Sequence, residues 1–301
     1  MKNNIEQNEI KRWWDAKRQL RWDKIYRGED YAALKVNNRM NKILHHFNKI
    51  KKKEINILEL GFGGGQLAYN LIKEGHKYVG LDVSNNLVKS ARARCKKLKN
   101  KKHKFICKSI DKKLSYPKNH FDVVIICGVM QYVTKPIFTF SEILRVLKKD
   151  GFFICAQTNF LVLRNFLNLR SLVNRIYCVV AGEKYEVSIS LRSLLLETKL
   201  KKIFQGNLKK KIIESNFCNK DYVDVNFNFK KRIIYQKKIL SLGKKSGFKL
   251  FTTDSSGPFF KIGYKNKLSF YLNKFLEILS SSMLFSFLNK INNSFIIVFK
   301  K

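Results

Sequence analysis

The sequence predicts an α/β fold, a mostly parallel sheet covered by helices on both faces. Three observations carry the prediction. Short apolar runs alternate with amphipathic or charged segments of about a dozen residues, the rhythm of βαβ units. Several of these runs are apolar at consecutive positions, as strands buried on both faces are. A glycine-rich turn follows the first of them.

Taken in order, residues 1–53 read as a helical, aromatic-rich cap, with Trp13, Trp14, Trp22 and Tyr26 close together. The lysines at 51–53 lead into a buried strand at 55–60. A helix is predicted over 67–73, a second strand over 77–82, a basic helix over 86–97 and a third strand over 105–108. Phe121-Asp-Val-Val-Ile-Ile-Cys-Gly128 is the strongest strand signal. An amphipathic helix over 137–147 is closed by Lys148-Lys-Asp-Gly151, and a strand follows over 152–156. There the rhythm breaks. Residues 157–246 are basic and poorly periodic, and a connection of that length reads as an insertion or lid that shapes acceptor recognition. Alternation returns at 247–251, and a last strand spans 294–299. Between them, 268–288 carries apolar residues at helical spacing flanked by lysines; core packing explains this most simply, and a face lying on anionic lipid is the alternative. The organisation is therefore a cap (1–53), a core (54–156), an insertion (157–246) and a segment completing the core (247–301).

The 301 residues, 45% hydrophobic and 13% aromatic, suffice for a full core and exclude a disordered chain. The six cysteines form no C-x-x-C pair and lack histidines at zinc spacing, so reduced thiols are expected, with no disulfide scaffold and no metal site. The first 20 residues are polar, without a signal-peptide apolar stretch, and no run of about 18 uncharged apolar residues occurs. A cytoplasmic protein without a membrane-spanning segment is expected, peripheral contact with the inner membrane face remaining open. The net charge is +39, from 61 Lys plus Arg against 22 Asp plus Glu. Either it serves a polyanion such as RNA or an anionic membrane, or it is compositional drift. Lys rises together with Asn, Ile and Phe, which favours drift.

The chemistry sits in Glu59-Leu-Gly61-Phe-Gly63-Gly64-Gly65. A strand ends, glycines permit a tight turn, and a helix begins whose free N–H groups can face a ligand. A dinucleotide fingerprint counted from Gly61 needs a small residue at 66, where Gln66 stands; counted from Gly63 it ends at Ala68 but starts two residues beyond the strand. The pattern E-x-G-x-G-x-G is filled by Glu59, Gly61, Gly63 and Gly65. Asp82, ending the next strand, can accept both hydroxyls of a ribose. Glu59 favours a ligand without pyrophosphate, because an acid beside two phosphates is repelled.

On these residues the sequence resembles the class I S-adenosylmethionine-dependent methyltransferases, nearest to the broad group acting on small molecules and lipids that includes the quinone-biosynthesis enzymes. Residues 57–65 look like the first family motif and 79–82 like the second; 121–133 and 144–154 are similar to the segments around the fourth and fifth strands. The resemblance implies a Rossmann-like, doubly wound, seven-stranded sheet with an antiparallel last strand, and S-adenosylmethionine as cofactor. It implies further that Gly61, Gly63 and Gly65 approach the methionine, that Glu59 orients it, that Asp82 holds the ribose, and that the backbone after Gly128 lines the donor pocket. An acid near the adenine corresponds to Asp111, shifted by one position. Tyr132 stands where members often carry His.

The acceptor is less legible. In-line methyl transfer needs alignment and exclusion of water, and a base only for a hydroxyl of high pKa. The Asn/Asp-Pro-Pro-aromatic string of amino-methylating nucleic-acid enzymes is missing after Cys127. Tyr132, His45 and His46 are the weak candidates for a catalytic group. Transfer to an O or N of a small molecule, lipid-linked or sugar intermediates included, is the leading expectation. An RNA-directed methyltransferase and a non-catalytic binding module are the alternatives.

Overall fold

The computed structural model describes residues 2–15, 25–26, 31–50, 53–160, 232–256, 271, 275 and 292–301. Seven strands fall within them: β1 (Asn56–Leu60), β2 (Lys77–Asp82), β3 (His103–Cys107), β4 (Phe121–Cys127), β5 (Leu147–Thr158), β6 (Lys249–Ser256) and β7 (Ser294–Lys300). They join in one sheet of order β3-β2-β1-β4-β5-β7-β6. The pairs among β1 to β5 are parallel, and β7 runs antiparallel to both β5 and β6. This is the mostly parallel sheet with an antiparallel last strand that the sequence predicts.

The described helices are α1 (Lys2–Asp15), α2 (Tyr31–Asn48), α3 (Gln66–Lys73), α4 (Asn85–Cys95), α5 (Pro136–Val146) and α6 (Gln236–Lys245). Side-chain alternation divides the core between the two faces of the sheet. Ile57, Val123, Ile125, Ile154 and Ile296 pack with Ile43 and Phe47 of α2, Leu71 of α3 and Ala91 of α4. Leu58, Val124, Ile126, Phe153, Ile297 and Phe299 pack with Phe140 and Ile143 of α5 and Ile239 of α6. Because both faces are covered, every residue of β4 up to Ile126 is buried.

Two local readings change. Residues 148–151 do more than close α5; they lie within β5 as an outward bulge. Leu147 pairs with Phe121 and Phe152 with Val123, so five steps on β5 oppose two on β4. Asp150 takes the left-handed φ of 62° that such a bulge requires, and Lys148 donates to Asp122 at 3.1 Å. Of the expected helix over 268–288, only Tyr271 and Phe275 are described. Both are helical and lie four residues apart on one face, 63% and 57% exposed, so this part of the apolar stripe is not core. Trp22, most of the 157–246 insertion and two of the cysteines, Cys178 and Cys218, lie outside the described residues.

α6 packs closely on β7 because Gly243 has no side chain: an added Cβ would overlap the Phe299 ring. Alanine there improves helix propensity by about 1 kcal/mol, yet overpacking a filled core costs about 1–3 kcal/mol. The second effect is expected to win. Gly243→Ala should lower stability by up to about 2 kcal/mol in chemical denaturation, and Phe299→Leu in the same chain should restore most of it.

Candidate functional site

The site lies at the carboxyl ends of β1, β2 and β4, where open α/β sheets bind ligands. Gly61, Gly63 and Gly65 all have left-handed φ, at 77°, 59° and 78°. Their reasons differ. A Cβ on Gly61 would overlap Val129, and one on Gly65 would stand 2.8 Å from the Ala91 Cβ of α4. These two glycines allow close packing within the protein. Around the Cβ position of Gly63 nothing lies within 4 Å, so the chain there faces open space. Gly61, Gly63 and Gly64 line a cleft of about 1030 Å³, solvent at its mouth included; Gly65 is not among its lining residues.

The loop is held in position from outside. The Gly61 N–H donates to the Leu81 carbonyl at 2.7 Å. Arg94 Nε donates to the Gly64 carbonyl at 2.8 Å. The Gly63 N–H donates to Asp82 Oδ2 at 3.0 Å, while Asp82 Oδ1 accepts from the Ser84 N–H at 3.0 Å. Asp82 is buried, and burial pushes its carboxyl up to about 6 against the pull of these N–H groups. Glu59, on the neighbouring strand, is also buried. The Tyr78 hydroxyl donates to its Oε2 at 2.6 Å, but desolvation outweighs that bond, and Glu59 is pushed up to about 7.

Asp111 lines the cleft, with both oxygens engaged on the loop before α5. They accept from the N–H groups of Thr134 (3.1 and 3.0 Å) and Lys135 (3.2 Å) and from the Thr134 hydroxyl (2.8 Å). Gly128, at φ 70°, lines the cleft as well. Tyr132 belongs to the 3₁₀ turn Met130–Tyr132 and meets Trp14 edge-on at 5.6 Å and Trp13 at 6.2 Å. His45 and His46 are not among the cleft's lining residues. His46 instead bonds Asp254 of β6 at 3.0 Å, where Lys42 also reaches the carboxylate.

Arg39 escapes a reading of the motifs, whereas Tyr26 and Trp14 belong to the aromatic cap that the sequence singles out. Arg39 of α2 is 4% exposed and is the one cation among the described lining residues. Its Nη1 donates to Thr158 Oγ1 at 2.9 Å. It stands four and eight residues before Ile43 and Phe47, so a charge on the apolar stripe of a helix is the signal that marks it. Tyr26, whose hydroxyl burial pushes up, lines the same wall. α1 closes one side with Ile10 and Trp14. It is tied down by Asp15, which accepts from the Ser84 hydroxyl (2.6 Å) and the Asn86 N–H (3.2 Å) at the start of α4. Cys127 is not a ready nucleophile, because burial raises its thiol.

Comparison with known proteins completes the picture. Residues 58–155 match the family described as a methyltransferase domain. The ubiquinone biosynthesis O-methyltransferase of Pelagibacter ubique is 27% identical over 174 residues, 52% of this chain and 67% of that protein. The ubiquinone/menaquinone biosynthesis C-methyltransferase of Wigglesworthia glossinidia brevipalpis is 26% identical over 179 residues, 56% of this chain and 69% of that protein. The fold is shared with the magnesium protoporphyrin IX methyltransferase of Synechocystis PCC 6803, solved with bound SAH. That match has a TM-score of 0.55 at 12% identity and covers 98% of this chain and 99% of the other. Domain match and relatives support a class I S-adenosylmethionine-dependent methyltransferase similar to the quinone-biosynthesis enzymes, on a fold shared with other methyltransferases.

The division of labour among the glycines is testable. Gly61→Ala adds left-handed strain to an overlap with Val129 and should cost about 2–4 kcal/mol in thermal unfolding. Val129→Ala in the same chain should recover the packing part and leave the strain.

Proposed function

We propose that the cleft holds S-adenosylmethionine across the ends of β1, β2 and β4 and that the chain passes its methyl group to an O or N of a small molecule. The observation that carries this reading is the charge arrangement of the cleft. Buried Glu59 and Asp82 line it together with Arg39, the one cation among the described lining residues. The cofactor offers matching groups: a cationic amino-sulfonium portion, a ribose diol and one carboxylate. When bound it supplies a methyl group activated by the sulfonium for in-line displacement.

In this reading Glu59 faces the cationic portion and Arg39 the methionine carboxylate. Asp82, already oriented by the Gly63 and Ser84 N–H groups, keeps lone pairs for the ribose hydroxyls. Gly61, Gly63 and the backbone at Gly128 let the ligand approach. Gly65 acts indirectly by seating α3 against α4. Asp111 shapes the adenine end by holding the 134–135 loop, with Ser109 and Ile110 beside it. Tyr132 and Trp14 wall the mouth and exclude water, and no general base is assigned. The relative named for O-methylation supports an oxygen of a small-molecule acceptor, and transfer to carbon, as named for a relative of comparable identity, is the outcome that would overturn the O or N assignment.

Calorimetry with S-adenosylmethionine tests the reading. Asp82→Ala should weaken binding about 100-fold, the loss of two charge-assisted hydrogen bonds; unchanged affinity in a folded variant would sink the ribose assignment. Absence of binding by the wild-type chain would sink the whole reading.

The pH dependence supplies a second test. A cation in the cleft stabilises ionised Glu59, so protonation competes with binding. Affinity should rise with pH, by up to about tenfold per unit below the Glu59 value near 7, and level off above it. Glu59→Gln should flatten that rise. A wild-type profile already flat between pH 5.5 and 8 would count against contact with Glu59.

A further inference from the structure

At the same carboxyl edge of the sheet, three hydroxyls stand in line. Thr158 ends β5, Ser294 begins β7 and Ser256 ends β6; Thr158 is opposite Ser294, and Ser294 is opposite Ser256. Directly paired residues share a face, so the three side chains leave the same side of the sheet. That side carries α2. Asp254, two residues before Ser256, meets His46 there, and Ile296, two after Ser294, packs with Ile43 and Phe47. The row spans roughly 10 Å, two cross-strand steps.

Ser256 and Ser294 are fully buried, and neither Oγ has a hydrogen-bond partner. At the inner end Arg39 Nη1 donates to Thr158 Oγ1 at 2.9 Å, and the buried Arg39 Nε is also without a partner. Native proteins rarely leave one such group unmatched. Here three occur along one line.

The chemistry of the line is that of a donor set. Arg39 can only donate. Thr158 uses its oxygen to accept from Arg39, which leaves its own O–H to donate onward, and the two serines can turn their O–H groups either way. Among the described residues no carboxylate interrupts the row, because Asp254 is engaged by Lys42, His46 and the Ser255 N–H. Donors in series beside one fixed positive charge fit an oxyanion.

We propose that Thr158, Ser294 and Ser256 form a subsite for an oxyanion, a carboxylate or a phosphate, carried by the methyl acceptor. This rests on the reading of the cleft as the donor site, with Arg39 as the boundary between the two. The acceptor then lies over the ends of β5, β7 and β6, across Arg39 from the methyl donor.

The test uses the full chain saturated with S-adenosylhomocysteine, titrated with benzoate and, separately, with inorganic phosphate at constant ionic strength. Saturable one-to-one binding of one probe is expected, benzoate marking a carboxylate site and phosphate a phosphate site. Ser256→Ala with Ser294→Ala should weaken it about tenfold while S-adenosylhomocysteine affinity is kept. Should the double variant not fold, Thr158→Val, which preserves side-chain shape, should show a similar loss. Binding of neither probe overturns the proposal, as does equal binding by wild type and variant. A variant that is more heat-stable with an unchanged anion response would mark the hydroxyls as unpaired core groups only. Failure of S-adenosylhomocysteine itself to bind would instead overturn the donor-site reading.

Discussion

A single buried carboxylate ties the parts of this molecule together. Asp82 ends β2 out of water, where an ionised acid persists only if it is well hydrogen-bonded. It receives the N–H of Gly63 from the loop after β1 and the N–H of Ser84 at the start of α4. Ser84 in turn caps α4 by accepting from the Leu87 N–H and donates to Asp15 at the end of α1. Loop, helix start and N-terminal wall thus share one hydrogen-bonded chain. The geometry of the cleft depends on it.

The same logic explains where the scarce acids are. Asp122 accepts from the Asn56 N–H and from Lys148, joining β1 to the bulge in β5. Glu142 accepts from the Leu114 N–H and from Arg145. Asp111 holds the 134–135 loop, Asp15 the start of α4, and Asp254 the α2 side of β6. These described acids each stand where backbone donors or a cation meet them.

The cleft also separates two demands that a glycine motif merges. Gly61 and Gly65 are needed by the protein's own packing, against Val129 and Ala91, and only Gly63 opens onto free space. Backbone that packs tightly from behind can present its N–H groups with little reorganisation, which is what pre-organised binding requires. Glu59 and Asp82, held above their ordinary carboxylate values by burial, add a site whose charge responds to what enters it. No described helix is long and apolar enough to cross a membrane.

The sequence by itself determined the strand order of events along the chain, the glycine turn, Glu59 and Asp82. Each depends on neighbours within a few residues: apolar runs make buried strands, glycine permits positive φ, and a strand's last residue meets the loop beside it. Its bounds of 157–246 for an insertion are too wide, because β5 runs on to Thr158 and α6 at Gln236–Lys245 packs on the sheet. Tertiary structure decided the rest. Arg39 reaches Thr158 across 119 positions, Asp15 reaches Ser84 across 69, and His46 reaches Asp254 across 208. No local pattern specifies such pairs, because they form only once α1 and α2 settle on the finished sheet. For the same reason His46 turns to the β6 side of α2, away from the cleft, while Arg39, on the core-facing stripe of that helix, faces it.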